Sequence, residues 1–454
     1  MKCRFILFLG FFLLGNTLVF GQHEFDPTLF KNPGLEFGPF TRWWWPGNDV
    51  TRRELKREAK LLSDNKFGGV EIQPLTVGIN PDGTRHNRVY SWDTPEFYKN
   101  VSAVMKTALK TGLTVDMNGG SGWPLGGPFL QQSESMLSLE AADTTVLGGQ
   151  ALDIRIPALR KDNSHLTRNG LKVYNSVNLG LASLQDIVAV RERDANGSTT
   201  TVDPNSLLSL KDKIRSGRLK WTVPQGGAWK IISFYSVPNG EKPLYAATKQ
   251  TSWVTDHFNS NAVSKSYNYL FGDRTGMTRF YGKPFRAVFN DSKEFIVSRH
   301  ISNDFATEFK TRRGYDVSPA LVANLIPNYN NAYSFGKDTI PGYRLSAEDW
   351  RLRYDYNLTI TELYKEHFLK TSMDWLESRG LKYRGQEYGL RTDVIATSGM
   401  VSIPETEQLS GSGSEGFVRL VTSGAHLYNR PVVAQESFVF SNRAGMTTPQ
   451  KSKV

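Results

Sequence analysis

Two short apolar runs in the sequence end in carboxylic acids. Phe285–Phe295 reads FRAVFNDSKEF, in which β-branched and aromatic residues lead into Asp291 and Glu294. Pro431–Phe438 reads PVVAQESF and carries Glu436 after a similar run. Apolar residues that give way to polar ones are typical of a buried parallel strand followed by a loop. Two strand-end glutamates could face each other across one pocket, and paired carboxyl groups are what glycoside hydrolysis requires.

Such a pair can work by inversion, which needs one protonated carboxyl group and, roughly 6.5–9.5 Å away, a carboxylate that activates water. Asp291 precedes Glu294 by three residues. Its negative charge, or burial, could raise the pKa of the Glu294 carboxyl group toward neutral pH. An acid after a strand is also often only the cap of the next helix, and both interpretations stay open here.

Strand and helix patterns alternate in the first part of the chain. The strands are predicted at Thr41–Asn48, Val70–Leu75 and Leu113–Met117. One helix begins with a capping box at Thr51 and Glu54. A second begins at Thr94 and ends at Gly112. This order implies parallel pairing with right-handed crossovers, and in a barrel built this way the loops after the strands form the active site.

The first strand carries three consecutive tryptophans, Trp43, Trp44 and Trp45. Because side chains alternate along a strand, Trp44 should point one way and its two neighbours the other. A sugar can stack on an indole face, so Trp44, Trp45 and, after the third strand, Trp123 are candidate substrate-binding residues. The alternative is that one or two of them fill the barrel floor.

The helical pattern stops near Phe129. From Ser135 to Thr278 no long helix is predicted, and short alternating runs such as Ala151–Ile156 and Trp229–Ser236 are separated by turn clusters. This pattern is typical of an antiparallel sandwich. We therefore expect residues 135–278 to form a β-sandwich domain inserted after the third barrel strand.

The alternation resumes at Phe285, where the fourth strand begins. Helices are predicted at Ser302–Arg313 and Ser346–Arg379, and strands at Leu381–Tyr388, Ser402–Leu409 and Val432–Glu436. The predicted fold is an α/β (β/α)8 TIM-like barrel, whose two parts, residues 23–134 and 279–454, flank the insertion. An eighth strand is missing from this pattern. Either one strand escapes detection or the sequence is a truncated piece of a longer protein, with an incomplete barrel.

The composition is that of a soluble globular protein large enough for two or three domains: 454 residues, 39% hydrophobic and 22% charged. Residues 1–22 place two basic residues before an apolar run, which predicts a cleaved signal peptide. The only cysteine, Cys3, lies in that segment, so the mature chain has no disulfide and no thiol nucleophile. These features favour export to a bacterial periplasm or cell surface, with no stable membrane insertion after cleavage.

The net charge of +11 is spread along the sequence without a basic block. A nucleic-acid partner is therefore not expected, because its binding surface would concentrate such residues. We interpret the charge as an aid to solubility, with a mild preference for acidic polymers. Neither a phosphate-binding loop nor the histidine pair of a zinc hydrolase is found.

Seven stretches of the sequence together resemble glycoside hydrolase family 106, the α-L-rhamnosidases of bacteria that degrade plant glycans. They are, in order, RWWWPGN, FGGVEIQ, GLTVDMNGGSGWPLGGP, NDSKEF, FKTRRGYD, IPETEQ and AQESF. The resemblance covers most of the segment from Phe37 to Gln450. It implies a (β/α)8 barrel with β-sandwich domains, inverting hydrolysis of a rhamnose-containing glycan such as pectin, and a calcium ion that touches the sugar hydroxyls.

By motif, Glu294 of DSKEF corresponds to the general acid and Glu436 of AQES to the general base. Asp291 and Glu405 match acidic positions that we expect in the pocket or on the metal. Two positions depart from the family pattern: Glu387 and Tyr388, in GQEYG, stand where a smaller residue and a histidine are expected.

Three groups of candidate residues follow. The catalytic candidates are Glu294 and Glu436; the substrate-binding candidates are Trp44, Trp45, Asn118, Trp123, Asp291, Gln386 and Glu387; the metal candidates are Glu405 and Asp291. Two other functions stay open at this level. One is a non-catalytic barrel that binds glycans, and the other is a retaining glycosidase of different sugar specificity.

Overall fold

The computed structural model describes residues 26–80, 82–160, 165–168, 171–174, 178–196, 199–295, 299–325, 341–407 and 414–437. The predicted signal peptide, residues 1–22, lies outside these ranges.

Strands dominate the first two thirds of the chain and helices the last third. The strands are β1 (Phe40–Pro46), β2 (Gly69–Leu75), β3 (Thr114–Asn118), β4 (Gly126–Gly127), β5 (Leu137–Leu147), β6 (Ala151–Arg155), β7 (His165–Arg168), β8 (Leu171–Tyr174), β9 (Ser183–Asn196), β10 (Thr199–Val202), β11 (Leu208–Ser209), β12 (Ile214–Arg215), β13 (Arg218–Thr222), β14 (Ala228–Pro238), β15 (Trp253–Val254), β16 (Phe285–Asn290), β17 (Tyr343–Arg344), β18 (Lys382–Gly385), β19 (Ile403–Glu407) and β20 (Ala434–Glu436). The α-helices are α1 (Pro27–Lys31), α2 (Arg52–Asp64), α3 (Gly83–Val89), α4 (Pro95–Thr111), α5 (Ser260–Phe271), α6 (Phe305–Arg313), α7 (Ser318–Ala323), α8 (Asp349–Leu363), α9 (Lys370–Glu377), α10 (Val394–Met400) and α11 (Glu415–Leu427). Single 3₁₀ turns lie at Leu35–Phe37, Gln132–Glu134, Leu179–Leu181, Pro204–Ser206, Lys211–Lys213, Asp273–Thr275 and Thr278–Phe280.

One parallel sheet organises the molecule, in the order β1-β2-β3-β16-β18-β19-β20. Its order follows the chain, and every neighbouring pair is parallel. This is the arrangement of a (β/α) half-barrel, in which successive parallel strands are joined by crossover connections. The sheet is curled, because Arg42 of β1 reaches Glu436 of β20 at the other end of the strand order. The expected α/β class and seven of the predicted barrel strands are thus found.

The outer helices are fixed by the local signals that the sequence predicted. Thr51 caps α2 by accepting from the backbone amide of Glu54, and Thr94 caps α4 in the same way. Gly112 ends α4 in the left-handed conformation, with φ +79°. Between this helix and the sheet, the ring of Phe97 lies edge-on to that of Trp45, at 6.0 Å between centroids. The strand–helix layer therefore buries both rings in the main hydrophobic core.

The segment between β4 and β15 consists mainly of antiparallel strands. In one sheet β14 pairs with β9 on one side and with the edge strand β5 on the other, and β6, β12 and β13 form a second sheet. A separate hydrophobic cluster draws on both, with Ile187 and Ile231 from the first sheet and Leu219 from the second. The antiparallel character of the insertion is thus found, whereas its description as a sandwich domain stays a prediction.

Helix α5 departs from the sequence analysis, which expected no long helix before residue 278. It spans Ser260–Phe271 and begins at Asn259, whose side chain accepts from two backbone amides. The helix packs on the barrel, since the indole of Trp375 in α9 donates to Asn268 at 2.8 Å. Its apolar residues are interleaved with serine and asparagine, which obscured the helical period in the sequence. The antiparallel strands therefore stop at β15, before the predicted boundary.

The long helix predicted from Ser346 to Arg379 is found as one continuous helical stretch from Asp349 to Glu377, with a widened segment in its middle. Helices α8 and α9 flank a π-helix, Tyr364–Leu369. Such widened turns are frequent at functional sites. In this chain the π-helix carries Tyr364, whose hydroxyl group reaches the loop after β18.

Candidate active site

Strand alternation fills the inside of the curled sheet with charged and amide side chains. Residues at every second position of a strand point to the same face, which brings together Arg42, Glu71, Gln73, Asp116, Asn118, Arg384, Glu405 and Glu436. Gln386 follows the end of β18 and joins them through its contacts with Glu405 and Glu436. Most of these side chains are buried. Burying so many charges is costly unless they are paired and hydrogen-bonded. The contacts between the acids and the two arginines, Arg42 and Arg384, therefore matter for the stability of this region.

Arg42 is the centre of this network. Its guanidinium lies 3.4 Å from Asp291 Oδ2, 3.0 Å from Glu405 Oε1 and 2.8 Å from Glu436 Oε2. Glu71 is the fourth acid, at 4.0 Å. Burial disfavours the charged form of Arg42, but the four neighbouring acids outweigh that effect and hold the pKa of Arg42 above its ordinary value. One cation thus joins acids from four strands or strand ends.

Arg384, on β18, is the second cation. Its Nη1 lies 3.0 Å from Glu71 Oε2 and 3.2 Å from Asp116 Oδ2, and its Nε donates to Glu405. Glu405 is fully buried. Burial opposes its ionisation, but the guanidiniums of Arg384 and Arg42 hold the pKa of Glu405 below its ordinary value. Glu405 is therefore an ionised, doubly paired anchor of the network.

Glu436 lies at the open edge of the network and is half-buried. It accepts a hydrogen bond from Gln386 Nε2 at 2.8 Å, beside its contact with Arg42. Burial raises the pKa of the Glu436 carboxyl group to about 8, and the charge of Asp291 adds to the effect while Arg42 opposes it. A carboxyl group whose pKa lies near neutrality can give or take a proton under working conditions.

Glu294 lies in the loop that follows β16. The indole Nε1 of Trp123 donates to Glu294 Oε2 at 2.6 Å. The Trp123 ring in turn contacts the ring of Tyr245, at 5.4 Å between centroids. Trp123, which was predicted to bind sugar, thus donates to the predicted general acid, and the Trp123 side chain is half-buried.

Asp291 faces the inside of the barrel, as predicted. It lies within hydrogen-bonding distance of Arg42 and accepts from Gln73 Nε2 at 3.3 Å. Its other oxygen accepts from the backbone amide of Ser292 at 2.8 Å. Asn118 also faces inward, where its amide donates to the carbonyl oxygen of Gly122 at 2.8 Å and so holds the loop after β3.

The three tryptophans of β1 alternate as expected. Trp44 lies on the same face as Arg42 and is 55% exposed at the rim of the barrel. Trp45 lies on the opposite face and is 1% exposed, against Phe97. The position of Trp45 is that of a core residue, so it presents no surface to a sugar in this structure.

Glu387 also lies away from the inner face. It is 1% exposed and accepts from Tyr364 and Tyr383 at 2.5 and 2.8 Å. Its third partner is the ammonium of Lys293, at 3.5 Å. The expectation that Glu387 binds substrate is not met by this placement, because its carboxylate is enclosed behind the pocket by the helix layer. The alternation of side chains ends with β18 at Gly385, so the direction of the Glu387 side chain could not be predicted from the sequence.

Lys293 is a residue that the sequence analysis missed. It is 1% exposed, and its ammonium donates to the carbonyl oxygens of Asp291 and Gln386 at 2.9 and 3.3 Å. Gly389 allows this close approach: it has φ +98°, and a Cβ there would lie 2.5 Å from the carbonyl oxygen of Lys293. Lys293 thereby joins the loops after β16 and β18, which carry Glu294 and Gln386.

Tyr388 stands where the family pattern has a histidine. It is 6% exposed, and its hydroxyl group has no hydrogen-bond partner among the described residues. Burial raises the pKa of Tyr388, and the negative charges of Glu407, Asp291, Glu405 and Glu436 add to the shift. The hydroxyl group is therefore a buried donor that is still available among the described residues.

The predicted calcium ion has little support in this donor set. Among the described residues, no three His, Cys, Asp or Glu side chains are arranged to hold a metal ion. The two expected ligands, Glu405 and Asp291, accept instead from Arg42. Calcium requires six to eight oxygen ligands, and a cation between these acids would face a guanidinium at about 3 Å. The arrangement does not fit the ion.

No helix in the described part of the chain has the length and apolar character needed to cross a membrane.

A search of curated proteins found no match. Among solved structures, a rhamnosidase from Novosphingobium sp. PP1Y is similar, with a TM-score of 0.64 and 15% sequence identity. The similarity covers 90% of this chain and 52% of that one, so this chain spans about half the length of the related structure. At this identity the likeness concerns the fold.

The family comparison covers nearly the whole chain. A model of the α-L-rhamnosidase family matches residues 31–178 and 171–454. These ranges include the loops with Glu294, Asp291 and Gln386 and the strands that carry Arg42, Glu405 and Glu436. The chain therefore belongs to glycoside hydrolase family 106, the α-L-rhamnosidase family.

Proposed function

We propose that this chain is the catalytic part of an inverting glycoside hydrolase that removes terminal α-L-rhamnosyl residues from plant polysaccharides such as pectin. Glu294 acts as the general acid and Glu436 as the general base. The observation that carries the proposal is the collection of Asp291, Gln386 and Glu436 around Arg42 at one edge of the curled parallel sheet, with Glu294 in the same loop as Asp291. This is the edge at which barrel enzymes carry out their chemistry.

In the proposed reaction Glu294 gives its proton to the glycosidic oxygen as the bond to the anomeric carbon breaks. Glu436 takes a proton from a water molecule, which attacks the anomeric carbon from the opposite face. The products are the free sugar with inverted configuration and the alcohol of the leaving group. Both carboxyl groups then exchange protons with solvent to restore the starting state. The indole of Trp123 orients Glu294, and Gln386 and Arg42 orient Glu436.

The raised pKa of Glu436 constrains this assignment. With a pKa of about 8, roughly one tenth of the free enzyme would carry an ionised Glu436 at pH 7. A general base must be ionised, so activity should rise with pH toward 8. The same observation favours a second assignment in which Glu436 is the proton donor. The two assignments predict opposite pH dependences, and kcat/KM measured against pH distinguishes them.

Rhamnose-containing pectin fragments are the proposed substrates, and export to a bacterial periplasm or cell surface is the proposed location. The first proposal is based on the family relationship and the second on the predicted signal peptide.

The test of function is hydrolysis of an aryl α-L-rhamnoside by the complete gene product, with the anomer of the first product read by NMR. Release of β-L-rhamnose is expected. An α-configured first product would point to a retaining enzyme, and binding without turnover to a non-catalytic glycan-binding barrel.

A further inference from the structure

A basic groove of about 850 Å³ runs along the outer wall of the barrel. Helices α2 and α4 form one side of it and residues 273–279 the other. The first side presents Arg52, Lys56, Lys99, Lys106 and Lys110. These cations are separated from one another in the sequence, which is why the sequence shows no basic block although the fold brings them together.

The second side adds Arg274 and Arg279, and among the described residues Asp273 is the one acid that lines the groove. Arg279 is held in place, since it donates to the Ser102 hydroxyl at 2.9 Å and lies over the Phe280 ring at 4.8 Å. Arg274 is likewise fixed by Asp93 at 2.7 Å. The groove therefore has two oriented guanidiniums opposite a row of lysines.

Helix α4 sets the spacing of that row. Lys99, Lys106 and Lys110 lie on one helical face, at separations of seven and four residues. With a rise of 1.5 Å per residue, the row is roughly 16 Å long. The helix precedes β3 and runs opposite to it, so its first turn lies toward the carboxyl edge of the sheet. The groove thus extends from the edge that carries the candidate active site down the barrel wall.

Only part of this positive charge is neutralised within the chain. Glu96 contacts Arg52 and Lys99 at 3.4 and 3.5 Å. For Lys56, Lys106, Lys110 and Arg279, no carboxylate lies within 4 Å among the described residues. Like charges collected in one concave surface repel each other and attract an anionic ligand. A linear ligand with repeated negative charges fits both the length and the charge of this surface.

We propose that the groove binds a polysaccharide that carries uronate carboxylates and so holds an acidic glycan beside the active site. The proposal rests on the proposed function, because that function makes a glycan the polymer that the enzyme meets. A single ion pair between an exposed lysine or arginine and a carboxylate is weak. Several such pairs along one polymer chain add up to a higher affinity. The site is separate from the catalytic network, since no lining residue belongs to the inner face of the sheet.

The test uses the full chain and three probes: polygalacturonate, a neutral galactan and a single-stranded DNA oligonucleotide. We expect polygalacturonate to bind at 50 mM salt, to dissociate at 0.5 M salt as charge screening increases, and to bind more tightly than either of the others. The combined variant Lys56→Gln, Lys106→Gln and Lys110→Gln should bind it roughly tenfold more weakly. The matched control makes the same change at Lys211, Lys213 and Lys220, which are exposed on the insertion, and should bind as the parent does.

Hydrolysis of an aryl α-L-rhamnoside is measured on the same preparations, because this small substrate does not need the groove. Both triple variants should retain the parental rate. Unaltered affinity of the groove variant for polygalacturonate, or absence of binding by the parent, overturns the proposal while leaving the hydrolase function intact. Equal or tighter binding of DNA also overturns it, because the groove would then be a general polyanion surface. A chain that binds the polymer but cleaves no rhamnoside contradicts the proposed function instead.

Discussion

The guanidinium of Arg42 lies 2.8 Å from the carboxylate of Glu436, although the two residues belong to strands at opposite ends of the sheet order. In a flat sheet of seven strands these positions would be roughly 29 Å apart, at about 4.8 Å per strand. The contact therefore requires the sheet to curl until its first and last strands approach each other. It also makes the position of the proposed base depend on the first strand of the barrel.

Arg42→Met should damage both the fold and the site. Removing one partner from a buried ion network leaves the other charges uncompensated, which costs about 3–5 kcal/mol. Without the cation, the pKa of Glu436 should rise further, because Arg42 is the charge that lowers it. Denaturant unfolding and the pH dependence of kcat/KM measure the two effects. Arg57→Gln, at an exposed pair on α2, is the control and should change neither. Full stability of Arg42→Met would show that the network does not hold the barrel.

Tyr388→Phe should separate stability from activity. The Tyr388 hydroxyl group is buried without a partner among the described residues, so its removal should leave the free energy of unfolding unchanged or raise it. If that hydroxyl group donates to a sugar hydroxyl, KM should rise and kcat/KM should fall by roughly tenfold. Thermal unfolding and steady-state kinetics on an aryl rhamnoside test this. Tyr354→Phe, at a 60% exposed position, is the matched control. A destabilised but fully active Tyr388→Phe variant would assign the hydroxyl group to the fold alone.

The fold was predictable where its signals are local. The caps at Thr51 and Thr94 and the apolar runs of the barrel strands depend on neighbouring residues, and these elements are found within a few positions of the predictions. Helix α5 was missed because serine and asparagine residues interrupt its apolar face. The buried face of the helix can be recognised only from its contact with α9.

The site was predictable as a set of acids but not as a network. Glu294, Asp291 and Glu436 could be found because each follows an apolar run. Arg42 could not, because its role depends on contacts with strands that are distant in the chain. Alternation from Arg42 to Trp44 gives their common face, yet no local pattern shows which acids that face meets. Glu387 was misplaced because it lies beyond the end of its strand, where alternation no longer determines direction.

Protein stability should fall as the pH rises from about 5 to 7, in part because of Asp256. Burial raises the pKa of Asp256 to about 7 in the folded chain, from an ordinary value of 3.8. Between these values the folded state binds a proton that the unfolded state has released. Stability is therefore lost as pH increases, by at most about 1.4 kcal/mol per pH unit for one such group.

Asp256→Asn should flatten this part of the stability curve, because asparagine cannot lose the proton. Thermal unfolding at several pH values between 5 and 7 gives the slope for the parent and the variant. Asp316→Asn, at an exposed position, is the control and should keep the parental slope. Identical slopes for the parent and Asp256→Asn would show that Asp256 does not titrate in this range.

Lys293 and Glu387 should show strong energetic coupling. Each is buried, and each depends on the other for charge compensation. Lys293→Met should cost about 3–5 kcal/mol, because the partners that the Glu387 carboxylate keeps in the described part of the chain are then two tyrosine hydroxyl groups. The double variant Lys293→Met with Glu387→Gln should cost less than the sum of the single variants, because no charge is left alone. A double-mutant cycle in denaturant measures this difference. Additive effects would contradict the pairing.

Lys293→Met should also lower kcat, since Lys293 joins the loops that carry Glu294 and Gln386. The conservative change Lys293→Arg tests whether charge alone is sufficient. Lys293 is 1% exposed, and a guanidinium is larger than the ammonium group, so we expect no rescue. Recovery of kcat in Lys293→Arg at unchanged stability would indicate that the charge, and not the positions of the hydrogen bonds, matters.

Glu294 and Glu436 should respond differently to the leaving group. Glu436→Gln should abolish turnover of every substrate, because attack by water requires the base whatever group departs. Glu294→Gln should lose about 10²–10⁴-fold on natural glycosides. Its loss on aryl rhamnosides should be smaller, because a phenolate departs with little protonation. The exposed Glu415→Gln, at the start of α11, is the control and should behave as the parent does.

The pH dependence of the parent decides which glutamate is the acid. If Glu436 is the base, kcat/KM rises as the pH increases toward about 8, where Glu436 becomes ionised. Azide should then rescue Glu436→Gln with a β-configured product, because the anion enters from the face opposite to the leaving group. If Glu436 is the donor, kcat/KM falls over the same range, and Glu436→Gln, not Glu294→Gln, retains activity on aryl rhamnosides. These two measurements have to agree. A rising profile together with an aryl-tolerant Glu436→Gln variant would exclude both assignments and remove the pair from the mechanism.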